Sequence, residues 1–191
     1  MYAKYQTDAL VLGTVPQGEA DMRVTLFTRE FGLIRARASA ARKESSRMRY
    51  GLQSYTQARV SLVRGTSGWR AAGARAEASL RTSCREAHAS FARVARLTIR
   101  LVPGEEKNEK LFLLLCSAHA AFNQATPEQC ALMELVCVAQ VLHTLGYLSN
   151  EALGTVHAAD TLFSIDSLTH VSTAQDELLT LVNRALTETH L

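Results

Sequence analysis

Apolar and polar positions alternate from Asp21 to Thr28, with Met22, Val24 and Leu26 on one side and Arg23, Thr25 and Phe27 on the other. A period of two marks a half-buried strand. It returns at Gly32–Ala40, where Ile34, Ala36, Ala38 and Ala40 oppose Leu33, Arg35, Arg37 and Ser39. Thr7–Gly13 is a near-continuous apolar run, Tyr55–Arg64 is rich in β-branched and aromatic residues, and Trp69–Ala78 follows it. Turn formers separate these runs at Pro16–Gly18, Phe31–Gly32 and Gly65–Gly68. Five short strands of this kind predict a small closed barrel. Within that class the OB-fold closes five strands and offers a face to oligonucleotides.

Beyond Leu80 the period lengthens to that of a helix. Cys84, Ala87, Phe91, Val94, Thr98 and Leu101 form one stripe over residues 81–102, and Arg81, Arg85, Arg93, Arg96 and Arg100 form another. Pro103-Gly104 ends this basic helix. Glu105, Glu106 and Glu109 suit the positive end of a second helix running to about Asn123. Thr126-Pro127-Glu128-Gln129 supplies an N-cap, a first-turn proline and a capping box for a third. That helix is apolar nearly all round (Leu132, Met133, Leu135, Val136, Val138, Ala139, Leu142, Leu145), stops at Gly146, and reads as the centre of a bundle. Ser172 with Gln175 repeats the capping pattern before a last helix with Leu178, Leu179, Leu181, Val182, Leu186 and Leu191 on its apolar face. Thr155–Val171 carries no clear pattern. The class is therefore α+β: a five-stranded OB-fold barrel over residues 1–80, followed by an α-helical bundle over 81–191.

Charge divides along the same line. Residues 1–100 hold 18 of the 21 basic and 7 of the 18 acidic residues, a net +11, and residues 101–191 hold the remaining 3 and 11, a net −8. Such asymmetry steers polyanions towards the barrel half and is a statement about partners. Between positions 35 and 49 it concentrates into Arg35, Arg37, Arg42, Lys43, Arg47 and Arg49 against Glu44. Arginine outnumbers lysine there, and its planar fork matches phosphate oxygens and stacks on bases. Arg35 and Arg37 share one face of a strand, about 7 Å apart, close to the spacing of successive phosphates in an extended strand. Arg42, Lys43, Arg47 and Arg49 follow on a mobile loop or a single helical turn. Arg64, Trp69 and Arg70 flank the Gly65–Gly68 turn and extend the track. Trp69 has two open readings, a base-stacking platform or barrel core. Neutralising about five phosphates of a single strand gives a log–log salt slope of roughly −3.5.

No catalytic or metal constellation accompanies this surface. The four cysteines (Cys84, Cys116, Cys130, Cys137) form no close-spaced pair of the kind that structural zinc needs. Glu19 and Asp21 suit a local task, ordering the turn into the second strand or pairing with Arg23 or another arginine. Gly65-Thr66-Ser67-Gly68 is a turn and not a nucleophile elbow, and no phosphate-binding Walker loop occurs. The apolar run Leu111–Phe122 is too short to span a bilayer, and no signal peptide is visible. The expectation is a cytosolic, non-enzymatic polyanion binder without cofactor or metal. Charge alone fits an RNA-binding OB protein of translation or ribosome assembly equally well. It also leaves room for a scaffold whose helical half is the active part.

Several segments narrow this. Thr7–Leu12 (TDALVL), Gly18-Glu19-Ala20-Asp21, the run Leu26–Gly32 (LFTREFG), Ala41-Arg42-Lys43 with Ser45-Ser46-Arg47, and Leu52-Gln53 resemble the N-terminal OB domain of the RecO family of bacterial recombination mediators. Leu142–Tyr147 (LHTLGY) is similar to the end of a helix in the same family's helical domain, less specifically. The resemblance implies binding of single- and double-stranded DNA and annealing of complementary strands. It also implies cooperation with RecR and the single-strand binding protein, whose C-terminal tail the helical domain contacts, to load the RecA recombinase. Many members carry a four-cysteine zinc module in the helical domain. This chain lacks it and is short after Gly146, which bears on the helical domain's partners and not on the DNA-binding half.

Overall fold

A computed structural model describes residues 3–80, 84–149 and 175–188. The readings made for Arg81, Thr155–Val171, Ser172 and Leu191 lie outside the described residues. The described chain forms five strands and then four helices: β1 (Lys4–Gln17), β2 (Asp21–Thr28), β3 (Gly32–Ala38), β4 (Thr56–Gly65), β5 (Gly68–Ser79), α1 (Arg85–Leu101), α2 (Glu109–Phe122), α3 (Pro127–Thr144) and α4 (Gln175–Glu188).

The strands close into a barrel in the order β1-β2-β3-β5-β4, with β4 returning to β1. All neighbours are antiparallel except β3 and β5, which run parallel over a short register, Ala36 against Trp69 and Arg37 against Arg70. β1 exceeds the apolar run that announced it because it serves two partners. Lys4–Leu10 pairs with β4 and Ala9–Gln17 with β2, and an irregularity between Val11 and Gly13 lets the strand bend from one to the other. Alternation delivers the interior as expected: Ala9, Val11, Val24, Leu26, Ile34, Ala36, Ala38, Ala58, Val60 and Leu62 are all buried in one cluster. Phe27, placed on the polar side by its period, is fully buried as well, as are Leu10 and Leu12. One end of the barrel is thus covered on both faces.

Two compact units emerge. One joins the strands (through Leu80) with Val102–Phe112; the other comprises Arg81–Leu101 and the chain from Leu113. In the first unit the connecting segment lies against the β2–β3 turn. Leu33 donates its N–H to the Gly104 carbonyl at 3.2 Å. Arg29 donates to Glu109 Oε1 through Nε (2.8 Å) and Nη2 (2.6 Å), and Arg64 pairs with Glu105 at 3.2 Å. Glu105 and Glu106 therefore precede α2 instead of opening it. Asn108 caps that helix, its Oδ1 accepting the Leu111 N–H at 2.9 Å, because a side-chain amide satisfies an orphan donor that a carboxylate two residues earlier cannot reach.

In the second unit α1 buries Ala87, Phe91, Val94, Thr98 and Leu101 of the expected stripe and adds Ser90 and Ala95, while Cys84 stands half-buried just before the helix. Phe91 meets His119 and Phe122 edge-on at 5.5 and 5.9 Å. α3 packs on both α1 and α4, which explains an apolar surface that runs nearly all round it. Its capping box is present, the Thr126 N–H donating to Gln129 Oε1 at 3.0 Å. α4 buries Leu178, Val182 and Ala185, whereas Leu179 is 45% exposed. Leu179 stands one position off the stripe and does not join it. No described helix is long and apolar enough to cross a membrane.

Candidate nucleic-acid interface

The outer face of the barrel carries its charge in register. Arg23 on β2 is the pairing partner of Arg37 on β3, and Arg37 is the partner of Arg70 on β5. All three are exposed. Adjacent strands lie about 4.8 Å apart, so the three arginines cross the strands in a row of about 10 Å. Arg35, also exposed, points the same way two residues before Arg37. Like charges directly opposite one another destabilise a sheet, and among the described residues only the middle member has a carboxylate within ion-pair distance. A row of this kind has the charge and spacing to accept an anion from outside. Arg23 is the member of the row that the sequence reading left out as a candidate; the signal was its place on the polar side of β2, but only the register shows that it meets Arg37.

The carboxylate on Arg37 belongs to Asp21. Arg37 donates Nε (3.0 Å) and Nη2 (2.6 Å) to Asp21 Oδ2, and the Ala40 N–H donates to Oδ1 at 2.9 Å. The Ala40 hydrogen bond, followed by Arg37, holds the Asp21 carboxyl below its ordinary range, with Lys43 adding to the effect. Ala40 has φ +55, a conformation costly for a residue with a Cβ, and the carboxylate fixes it there. Asp21 is thus the hinge between β3 and the basic segment. Its partner is Arg37 and not Arg23.

That segment is not a mobile loop. Residues 39–55 form consecutive turns, with N–H donors of Lys43, Ser46 and Arg49 reaching the carbonyls of Ala40, Lys43 and Ser46. Ala41 and Leu52 are fully buried in the barrel cluster, Met48 packs against it, and Gly51 lies against Ala74 of β5. Three apolar anchors in twelve residues tie the backbone to the barrel, and of the two sequence readings the run of turns is nearer to the helical turn than to the loop. Arg42 also has a tethering role, donating Nη1 to the Gly18 carbonyl at 2.9 Å. Lys43, Arg47 and Arg49 point outward and make no ion pair among the described residues.

Around the Gly65–Gly68 turn the residues separate. Arg70 joins the row. Arg64 is engaged by Glu105 and lies over the Trp69 ring, its Cζ 5.2 Å from the centroid. Trp69 is only 5% exposed and packs on Tyr5 and Phe31 at centroid distances of 5.6 and 5.1 Å. Of its two readings the structure takes barrel core, because its Cα register with Ala36 points the ring inward. The exposed aromatic of the barrel unit, among the described residues, is Tyr50, 67% accessible, directly after Arg49 and held on a backbone whose next two residues are buried. Among the described residues no three His, Cys, Asp or Glu side chains converge as a metal site.

Comparison with known proteins places this barrel. Residues 1–70 match the family model described as Recombination protein O N terminal. The chain is similar to the DNA repair protein RecO of Pelotomaculum thermopropionicum, 39% identical over 115 residues that cover 58% of this chain and 44% of that protein. It is 32% identical over 114 residues to the DNA repair protein RecO of Thermodesulfovibrio yellowstonii, covering 58% of this chain and 46% of the relative. With the protein of the same name from a Synechococcus strain it shares 28% identity over 141 residues, 67% and 49% of the two chains. The matched stretches span less than half the length of each relative. Fold, motif order and these matches agree: the barrel half of the chain is similar to the N-terminal domain of RecO proteins.

Proposed function

We propose that this chain is a DNA repair and recombination mediator that binds single- and double-stranded DNA and anneals complementary strands. With RecR it helps to load RecA onto DNA coated by single-strand binding protein. It works in the cytoplasm at the nucleoid and catalyses no bond-making step. The observation that carries the reading is the in-register row Arg23–Arg37–Arg70, continued by Arg35 and by the outward cations Lys43, Arg47 and Arg49. An annealing protein must screen phosphate repulsion while leaving base edges free to pair, and a rigid cationic face does that without a reactive group. Arg37 and Arg42 contribute through position as well as charge, Arg64 contributes only to the field, and Trp69 makes no contact. The names of the relatives support DNA over RNA.

The test is annealing of complementary oligonucleotides, bare and coated with single-strand binding protein, over a salt series. Both reactions are expected to accelerate, with a log–log binding slope of roughly −3.5 for about five phosphates. Binding without annealing, or an equal preference for RNA, overturns the mediator reading.

Tyr50 is the stacking plane of this surface. Replacing it with alanine is expected to weaken single-strand binding by about 5- to 150-fold, the range of one lost base–aromatic stack. Duplex of equal length, whose bases are already stacked, should bind almost unchanged in an anisotropy titration. Equal losses on both substrates mean that Tyr50 acts through the loop and not on a base.

A further inference from the structure

We propose that Asp21 is a built-in competitor for phosphate: its carboxylate occupies, in the free protein, the position that a strand's phosphate takes on Arg37. The inference rests on the nucleic-acid reading of this face and adds a control of its affinity. Two guanidinium donors, Nε at 3.0 Å and Nη2 at 2.6 Å, converge on the single oxygen Oδ2. This is how a guanidinium also holds one phosphate oxygen. Arg37 is the centre of the row, with Arg23 on one side and Arg70 on the other, so the carboxylate sits on its middle member. The Arg37 side chain remains 61% exposed. The Asp21 side chain is 21% exposed, so the exchange takes place at the guanidinium, which solvent and a competing anion reach, while the carboxylate stays in place.

Exchange leaves the scaffold intact. Oδ1 holds the Ala40 N–H independently of Arg37, so when a phosphate takes the guanidinium, the hinge into the basic segment keeps its hydrogen bond. Asp21 therefore has two separable tasks, one oxygen for each. Its charge subtracts one phosphate equivalent from every bound strand, which hastens release. A protein that pairs two strands and lets the duplex go benefits from that.

Asparagine separates the tasks, because its carbonyl still accepts from Ala40 while its charge is gone. Asp21→Asn is expected to bind a thirty-residue oligothymidine about fivefold more tightly at 0.1 M salt, with a slope steeper by about 0.7, the contribution of one phosphate. In an Arg37→Gln background the same change should gain nothing, since the contested guanidinium is absent; the double-mutant cycle isolates the pair. Glu19→Gln removes an equal charge two residues away at an exposed position and should gain much less. A gain of equal size in Glu19→Gln, or one that persists without Arg37, overturns the proposal in favour of a general field. So does unchanged or weaker binding by an Asp21→Asn protein that melts normally. If Asp21→Asn melts early, Asp21→Asn with Ala40→Gly relieves the positive φ of Ala40 and carries the same comparison. A wild-type chain that does not bind the oligonucleotide brings down the reading of the face itself, whereas wild-type binding with no Asp21 effect brings down only the competitor.

Discussion

Reversing Arg23, Arg35 and Arg70 together to glutamate is expected to weaken single-strand binding by about 100-fold or more at 0.1 M salt. Each lost phosphate contact removes about 0.7 from the log–log salt slope, so three remove about 2.1 and the same power of ten at 0.1 M. These positions are chosen because none has an ion-pair partner among the described residues. Arg37 and Arg42, in contrast, hold Asp21 and the Gly18 carbonyl, and reversing them mixes binding with folding. The thermal melt of the triple variant should stay near the wild type or rise, since opposed like charges in the row are relieved. A matched control reverses Arg85, Arg96 and Arg100, all exposed on α1, for the same change in net charge. These arginines belong to the other compact unit and not to the row, so the loss should be several-fold at most. If both triples lose affinity equally, the barrel row is not the binding track.

The second large effect is on stability. Gly32→Ala should destabilise the barrel unit by about 2–5 kcal/mol, adding a left-handed penalty of about 1–2 to an overpacking cost of about 1–3. Gly32 has φ +65, and a Cβ there would lie 2.0 Å from the Glu106 carbonyl oxygen and 2.7 Å from its carbon. Backbone cannot swing aside as a long side chain can. Gly18→Ala is the natural comparison: φ is +64 but nothing stands within 4 Å of the added atom. It should therefore lose only the conformational share. Urea unfolding of the two variants separates the terms. If they differ by less than about 1 kcal/mol, against the overpacking cost expected for a fixed obstacle, the connecting segment does not press on Gly32.

The barrel was legible because period two survives in β2 and β3, apolar and β-branched runs mark the other strands, and turn residues punctuate them all. Asp21–Thr28 has the same bounds in sequence and structure, since a turn at Gly18 before it and another at Phe31–Gly32 after it leave little freedom in where pairing begins. The basic segment was legible as charge and not as shape. Ala41, Met48 and Leu52 are spaced without helical or strand period, so their joint role as anchors appears only once the barrel end exists for them to enter. The site divided in the same way. Side-chain chemistry picked out Arg35, Arg37 and Arg70, whereas pairing register, a property of two strands together, was needed to add Arg23 and to show that Arg37 is shared with Asp21. Trp69 is buried and Tyr50 exposed, and exposure, not residue type, decides which aromatic is available to a base. Period alone could not assign it for a tryptophan beside a turn.

The grouping of Val102–Phe112 with the strands makes the barrel unit discontinuous along the chain. On a ribosome, all five strands emerge before the piece that receives Arg29, Leu33 and Arg64, and α1 is made in between. The nascent barrel thus passes through an interval in which two cations and a strand-edge N–H wait for partners not yet synthesised. A fragment ended at Leu80 is a permanent copy of that interval. Its behaviour describes an intermediate in assembly, and a soluble barrel prepared for binding work should retain the chain through Phe112.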